Sequence, residues 1–217
     1  MEEGISPLNK EEIFRIYDQM NKCVCMVDLG KSQGTGFFLN ILFPKKNTII
    51  PFLVTANHII NEDTINEHKV IVLSILDKKE IRKIELKNRF IYTNREEDIT
   101  LIEINPSFDH INSFLDLDEN IASHNRGQIF YKLPVYLLQY PEGKESQVSF
   151  GNIIKIEEQT FMHNCWTSCG SAGGPIISMR SFKAIGLHFG VYKPTKGKGY
   201  KIGNFLNKAI IEIQNKY

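Results

Sequence analysis

The sequence predicts an all-β fold, a barrel or a sandwich, with one helix near each end of the chain. About ten short runs rich in β-branched and aromatic residues are separated by Gly, Pro, Asn and Asp, a pattern typical of strands joined by turns. Two other segments place apolar residues at helical intervals. A chain of 217 residues can bury most of its apolar surface without disulfides or metals.

The first helix is predicted to begin after Asn9. Asn9 is a favourable N-cap, and Glu12 stands at the third helical position, so the two residues can form a capping box. The apolar residues that follow recur at helical spacing: Ile13, Ile16, Tyr17 and Met20. We therefore expect a helical extension over residues 1–22, ahead of the first strand.

The strand runs form two groups, separated by a segment with few strand signals. Residues 105–133 have the weakest strand pattern and the most turn residues, so we interpret them as the crossing between two halves. The first half is predicted over residues 23–115 and the second over residues 116–203.

A second helix is predicted over residues 204–217. Asn204 stands at its N-cap position. The apolar residues behind it fall on one helical face: Phe205, Leu206, Ala209, Ile210 and Ile213. The chain is therefore expected to close with a helix, as it opens with one.

The charge balance argues against a nucleic-acid partner. Lys and Arg number 26 and Asp and Glu 25, with no long basic run that would contact phosphates. The first thirty residues lack the basic and apolar regions of an export signal, and no apolar stretch reaches the length of about 18 residues expected of a membrane helix. We expect a cytoplasmic protein with no membrane partner.

The four cysteines are Cys23, Cys25, Cys165 and Cys169. Without an export signal we expect reduced thiols. Cys23 and Cys25 would form a zinc site with Cys165 and His163 if the two segments met in space. Because strand alternation instead places both thiols of CVCMV on one face as small core residues, we expect no metal and no cofactor.

Three motifs carry candidate chemistry: VTANHII around His58, EEDITLIEI around Asp98 and CGSAGGP around Ala172. Each is ordinary alone, since a lone histidine is often structural and paired glycines before proline often form only a tight turn. Their order in an all-β chain is more informative. His58 precedes Asp98 by 40 residues (98 − 58), and Asp98 precedes Ala172 by 74 (172 − 98).

With these motifs the sequence resembles the chymotrypsin-like serine peptidases from about Cys23 to the final helix. GTGFFL resembles the glycine-bearing strand before the histidine, VTANH the TAxH motif, DITLIEI the aspartate strand and GSAGGPII the GxSGGP elbow. The resemblance implies a chymotrypsin-like fold of two six-stranded antiparallel β-barrels. The active site would lie in the cleft between them.

The resemblance also implies the catalytic roles. His58 would be the general base that takes the nucleophile's proton, and Asp98 would hold its tautomer and stabilise the charged ring. Glu96 and Glu97 are rivals of Asp98, but Asp98 alone directly precedes the apolar strand. The main-chain amides of Gly170 and Ala172 would form the oxyanion hole.

Ala172 stands where the resemblance implies the nucleophilic serine. The chain is therefore either a serine endopeptidase in a nucleophile-inactivated Ser-to-Ala form or a natural pseudopeptidase that binds peptides as an adaptor. We favour the first, because base, acid and oxyanion glycines are all retained. Cys169 is disfavoured as a substitute nucleophile, since the elbow does not present it to the base.

The residues around the elbow predict the preference for the substrate residue before the cut (P1). Trp166 stands where the trypsin branch has an aspartate, so a basic P1 residue is not expected. Thr167 and His188 resemble the pair that holds a P1 carboxylate in glutamyl endopeptidases, which predicts Glu, then Gln or Asp. The alternative is a structural His188 bonded within its own scaffold.

The expected partner is a protein or peptide substrate bound as an extended strand. Phe189 and Gly190 continue the strand that would pair with it through main-chain hydrogen bonds. Residues 192–200, YKPTKGKGY, would form a loop beside the pocket with three rim lysines. No IVGG-like new N-terminus is visible, so we expect a pocket formed in the intact chain or completed by an activating partner protein. A signalling or defence protein cut by limited proteolysis is a plausible target.

Overall fold

Two antiparallel β units joined by an irregular connection make up the computed structural model, which describes residues 7–30, 32–192 and 199–216. This arrangement confirms the predicted all-β fold with a helix at each end. The division into the four predicted segments stays a prediction, but the two sheets use separate parts of the chain.

Helix α1 (Lys10–Lys22) begins with the predicted capping box. Asn9 Oδ1 accepts from the amide of Glu12 at 3.0 Å, and Glu12 Oε2 accepts from the amide of Asn9 at 2.8 Å. The apolar face differs from the predicted one, because Ile16 is buried whereas Ile13 and Tyr17 are exposed. The helix instead packs through Ile16, Met20 and its polar neighbours on the same side.

The first unit is one antiparallel sheet with the strand order β5-β4-β1-β2-β3-β7-β6. Its strands are β1 (Val24–Asp28), β2 (Gln33–Phe43), β3 (Thr48–Thr55), β4 (Val70–Ile75), β5 (Glu80–Glu85), β6 (Ile91–Asn94) and β7 (Ile99–Glu103). A short helix, α2 (Glu62–Glu67), follows β3 and a turn. The long β2-β3 hairpin leads directly toward the turn that carries His58.

The two edges of this sheet, β5 and β6, are consecutive in the chain and separated by residues 86–90. They therefore act as two parts of one interrupted strand. When β5 and β6 are counted together, the unit has six strand positions, as predicted, although seven separate strands are formed. Arg89 holds the interruption in place: its guanidinium donates to the carbonyls of Glu85 and Glu103 and to both carboxylate oxygens of Asp109.

Residues 104–133 connect the units, as predicted for 105–133. They contain helix α3 (Pro106–Asp109), a 3-10 turn (Glu119–Ala122) and helix α4 (Arg126–Phe130). Leu115 forms an isolated bridge to Leu39 of the first unit, and Leu117 forms one to Ala184 of the second. The chain thus passes from one sheet to the other around Asp116.

The second unit is a closed barrel with the strand order β10-β13-β12-β11-β8-β9. Its strands are β8 (Pro134–Gln139), β9 (Gln147–Glu157), β10 (Thr160–His163), β11 (Pro175–Ser178), β12 (Ala184–Tyr192) and β13 (Tyr200–Phe205). Closure leaves this unit without a free sheet edge, and it gives the loop between β10 and β11 a rigid frame.

The C-terminal helix α5 (Asn207–Lys216) begins later than predicted. Asn204 does not cap it, and Phe205 does not lie on its face, because both residues belong to β13. Asn204 pairs with Thr160 of β10 and with Leu187 of β12. Pairing on both sides of β13 therefore outweighs the local helix signal.

Three of the thiols are core residues: Cys23, Cys25 and Cys165 are buried, and Cys169 is exposed. Burial raises the pKa of Cys23 and Cys165 to about 12. The zinc alternative is not supported, because the cysteine pair at 23 and 25 lies in the first unit, His163 and Cys165 lie in the second, and no group of three metal-ligating side chains occurs within the described residues.

None of the helices in the described ranges is both long enough and apolar enough to cross a membrane.

The Arg89–Asp109 pair predicts a large loss of stability when one partner is removed. The two side chains are 8% and 0% exposed, with contacts of 2.5 and 2.6 Å. Arg89→Met leaves a buried carboxylate without its counter-charge, so the free energy of unfolding should fall by about 3–5 kcal/mol in urea titrations. Lys22→Met, which breaks the exposed pair with Asp18, is the control and should change little. Equal losses in the two variants would contradict this assignment.

Candidate active site

His58 lies in a tight turn directly after β3. The amides of Ile59 and Ile60 both donate to the carbonyl of Ala56, which closes the turn. Thr100 of β7 donates through its hydroxyl to the carbonyl of Ile60 at 2.6 Å and accepts from the side chain of Asn57 at 3.2 Å. The turn is therefore held against the strand that follows Asp98.

Asp98 contacts His58 through both carboxylate oxygens. Oδ1 accepts from the main-chain amide of His58 at 2.7 Å, and Oδ2 lies 2.7 Å from ring atom Nδ1. A carboxylate can only accept, so Nδ1 carries the ring proton and Nε2 is left as an acceptor. Asp98 is 6% exposed, whereas the side chain of His58 is 52% exposed and can meet a substrate.

The two rival acids point elsewhere. The amides of Glu96 and Glu97 bond Asn94 Oδ1, and the carboxylate of Glu97 faces Lys208 at 2.6 Å. Of the three adjacent acidic residues, Asp98 is the one in contact with His58.

The elbow that carries Ala172 depends on two left-handed glycines. Gly170 has φ +86° and Gly173 has φ +83°, a region that side chains with a Cβ rarely adopt. A Cβ on Gly170 would lie 2.5 Å from the carbonyl oxygen of Tyr140. Ser171 Oγ accepts from the amide of Ser168 at 2.9 Å and closes the loop from inside.

Thr35 of β2 joins the elbow to the first unit. Its amide donates to the carbonyl of Ala172 at 2.8 Å, and its hydroxyl donates to the carbonyl of Gly170 at 2.7 Å and accepts from the amide of Tyr140 at 2.9 Å. A Cβ on Gly173 would lie 3.0 Å from the amide nitrogen of Ala56. The elbow therefore lies against the main chain that leads into the His58 turn.

Two elbow amides have no acceptor within the described ranges. The carbonyl of Cys169 accepts from the amide of Glu142, so the Cys169–Gly170 peptide turns its oxygen toward that loop and its N–H the other way. In the part of the chain that the structure describes, the amides of Gly170 and Ala172 donate to no other group.

Thr167 and His188 are the two predicted pocket residues. Thr167 Oγ1 is buried and has no partner among the described residues. His188 is 2% exposed, and its Nδ1 lies 3.1 Å from Nε2 of His163, which is itself 1% exposed. From sequence, His163 is expected only as a ligand in the zinc alternative. The sequence around His163 does not predict its contact with His188, because that contact depends on the alignment of β10, β13 and β12.

Both rings of this pair are neutral at pH 7. Burial lowers the pKa of His188 to about 4 and that of His163 well below its ordinary value, and repulsion from Lys201 acts in the same direction on both. His163 Nδ1 is buried without a partner, which suits an unprotonated nitrogen better than an N–H. The proton of His163 is then on Nε2 and donates to His188 Nδ1, and the proton of His188 is on its own Nε2. The His188 ring also makes a backbone hydrogen bond with Ile202, which opposes the fall in its pKa and ties the ring to β13.

Phe189 forms a bulge in β12. His188 pairs with Gly203 and Gly190 with Ile202, so Phe189 is the additional residue between them. Phe189 is partly exposed, and a Cβ on Gly190 would meet no atom of the described residues within 4 Å. Among the described residues, the space on the Cβ side of Gly190 is therefore unfilled.

The predicted loop of residues 192–200 falls mostly outside the described residues, which exclude 193–198 and with them its three lysines.

Comparisons with known proteins agree with this fold. A family model described as "Trypsin-like peptidase domain" matches residues 34–187, a range that includes His58, Asp98 and Ala172. A solved structure, the serine endoprotease from Yersinia pestis, is similar in fold with a TM-score of 0.67, over 98% of this chain and 68% of that one. Its sequence identity is 12%. A search of curated protein sequences gave no match.

The Thr35 contacts predict that the hydroxyl of this side chain stabilises the elbow, and that its volume contributes little. Thr35→Val leaves the carbonyl of Gly170 and the amide of Tyr140 without their partner, at a cost of about 1–3 kcal/mol for each buried group. Hydrogen exchange at Gly173 and Gly174 should accelerate along with this loss. Thr35→Ser keeps the hydroxyl and should stay close to the parent; equal behaviour of the two variants would show that the bonds are not needed.

Proposed function

The chain belongs to the trypsin-like peptidase domain family, and from that premise we propose that it is a serine endopeptidase in a nucleophile-inactivated Ser-to-Ala form. The observation that carries the proposal is the double contact of Asp98 with His58 beside the elbow at position 172. The finer assignments below rest on this contact and on the groups around it.

In the proposed mechanism, a serine at position 172 attacks the substrate carbonyl while His58 Nε2 takes its proton. The proton then passes from His58 to the leaving amine. Asp98 keeps Nδ1 protonated and stabilises the charged ring that forms in between. The 2.7 Å contacts and the burial of Asp98 support this role.

We assign the oxyanion hole to the amides of Gly170 and Ala172. The negative oxygen of the tetrahedral intermediate needs donors that are in position before the reaction begins. The two amides are unused by the rest of the described chain, and the Glu142 contact at Cys169 keeps the Gly170 N–H turned away from the neighbouring loop. Neither donor depends on the side chain at 172.

With Ala172, the proposed site binds a peptide but cannot form the acyl intermediate. This property also supports the alternative function, a natural pseudopeptidase that acts as a peptide-binding adaptor. The retained His58–Asp98 contact favours the enzyme, because an adaptor has no use for an oriented base.

For the P1 residue we propose Glu, followed by Gln or Asp. Thr167 Oγ1 and His188 would each donate to the side-chain oxygens of P1. The Thr167 hydroxyl, which has no partner among the described residues, supports this choice. The His188 ring already bonds the backbone of Ile202, so its proposed role requires the P1 oxygen to share or displace that bond. The neutral pocket also admits an amide, which keeps Gln as the second candidate.

We further propose that the substrate binds as an extended strand along Phe189 and Gly190, where the described residues leave the space on the Cβ side of Gly190 unfilled. The natural target, a signalling or defence protein cut at one site, stays a prediction from the sequence. The cytoplasmic location and the activating partner protein stay predictions as well.

Restoring the hydroxyl should restore cleavage. Ala172→Ser is expected to cut peptides after Glu, with turnover on the order of 10⁶ above the Ala172 chain, which should show none above background. Mass spectrometry of products from a peptide library would identify the P1 residue without assuming it.

The matched control is Asp98→Asn in the Ser variant, which keeps the shape of the acid but disturbs the tautomer of His58. Its turnover should fall by about 10⁴. If Ala172→Ser cuts nothing in the library while the Ala172 chain binds peptides, the adaptor function is correct.

The Ala172 chain also allows P1 binding to be measured without cleavage. A bound carboxylate favours the charged ring, so it raises the pKa of His188 from about 4 toward the neutral range. Between the free pKa of about 4 and the raised pKa, the complex holds a proton that the free chain lacks. Affinity for a Glu peptide should therefore fall as pH rises through that interval, by at most about tenfold per pH unit, and level off above the raised pKa. A Gln peptide carries no charge and should show a flat profile in calorimetry.

His188→Ala is the companion variant. It should remove both the pH dependence and the preference for Glu, and leave binding of a peptide with an apolar P1 residue nearly unchanged. Equal weakening of acidic and apolar peptides would exclude His188 as the specificity residue.

A further inference from the structure

Asp98 is held in a strained turn that few local contacts support. Its φ is +46°, in the left-handed region that residues with a Cβ enter less readily than glycine. The amide of Asp98 makes one long bond, 3.3 Å, to the carbonyl of Arg95. Asn94 Oδ1 holds the two preceding amides at 2.9 and 3.0 Å. Contacts from outside the hairpin therefore add support to a turn in which the Asp98 amide itself is weakly held.

That support comes from the second unit. Asn204 of β13 donates through its side-chain amide to the carbonyl of Glu97 at 2.5 Å. Lys208 of α5 contacts the carboxylate of the same residue at 2.6 Å. Asn204 is 8% exposed and the Glu97 side chain 12%, so the first contact is largely shielded from water, whereas Lys208, at 45%, approaches Glu97 from the exposed side.

The contact of Asn204 with the carbonyl of Glu97 bears directly on the orientation of Asp98. The carbonyl of Glu97 belongs to the peptide plane that enters Asp98, and a planar peptide leaves φ and ψ as the remaining soft angles. Holding that oxygen sets the direction from which the Asp98 side chain leaves the backbone. A rotation of this plane would move the carboxylate from its two 2.7 Å contacts with His58.

The side chain of Asn204 serves this contact specifically. Its own Oδ1 is buried and has no partner in the described part of the chain. A polar group at a buried position is costly unless it is hydrogen-bonded. Of the two polar atoms in this side chain, only the nitrogen, which donates to the Glu97 carbonyl, makes a hydrogen bond among the described residues.

We propose that Asn204, supported by the Lys208–Glu97 pair, is a positioning residue for Asp98, through which the second unit orients the acid of the His58–Asp98 pair. This inference rests on the proposed function only for its consequence in catalysis. The geometric part concerns the His58–Asp98 hydrogen bond and can be tested in the Ala172 chain without any cleavage.

The decisive measurement is the proton resonance of the His58 ring N–H that is bonded to Asp98, recorded in the Ala172 chain at low temperature. Asn204→Leu keeps the size of the side chain and removes the donor without adding charge. We expect the far-downfield resonance of the parent to be lost or to broaden by exchange with water.

Gln214→Ala is the matched control. Gln214 of α5 donates to the carbonyl of Leu42 at 2.7 Å, so it also joins the C-terminal segment to a main-chain oxygen of the first unit, away from Asp98. Its loss should lower stability without changing the His58 resonance. A purely structural role of Asn204 would make the two variants alike.

Lys208 provides a second variant on the exposed side, where folding is not at risk. Lys208→Met should broaden the His58 resonance less than Asn204→Leu, and Lys208→Arg, which keeps the ion pair with Glu97, should restore the sharp parent signal. An unchanged resonance in both Asn204→Leu and Lys208→Met would overturn the proposal.

In the Ala172→Ser background, Asn204→Leu should lower kcat by about 10- to 100-fold with KM nearly unchanged, because the substrate contacts are intact and only the base is misoriented. A loss confined to KM would overturn the positioning role. If the Ser variant cuts nothing but the resonance is lost in Asn204→Leu, the proposed function fails and the positioning inference stands.

Discussion

The hydroxyl of Thr35 is the contact on which the site depends most. It both donates and accepts across the junction of the two units, and it does so at a position with no exposed surface. In a medium of low polarity such bonds are strong, and losing one leaves the partner group unsatisfied. Thr35 bonds the carbonyl of Gly170 through its hydroxyl and the carbonyl of Ala172 through its amide, in addition to the elbow's own local bonds. The first unit therefore shapes a loop that belongs, in sequence, to the second.

Much of the fold and of the candidate site could be predicted from the sequence, wherever the interacting residues or motif positions lie close together along the chain. The capping box of α1 was readable from Asn9 and Glu12 because both partners lie within one turn of helix. His58 and Asp98 were identified as a pair because two motifs occur in a known order, and their 2.7 Å contact agrees with that order. The strands were visible because each is an apolar run between turn residues.

Features that depend on pairing between distant segments could not be predicted. Asn204 has the local pattern of a helix cap, but its neighbours across two ladders are Thr160 and Leu187, and no local pattern shows them. The bonding of Thr35 and the contact of His163 with His188 arise in the same way. One sequence signal for Thr35 existed: a hydroxyl residue in an otherwise apolar, glycine-rich strand needs a buried partner.

The hydroxyl of Thr167 is buried and has no hydrogen-bond partner among the described residues. If the proposed P1 site includes it, a P1 oxygen would supply the missing bond, whereas a methyl or phenyl group would leave the hydroxyl unsatisfied. The difference between the two cases would be about 1–3 kcal/mol. Under the proposed function, selectivity would thus draw on a bond that the free chain leaves unmade.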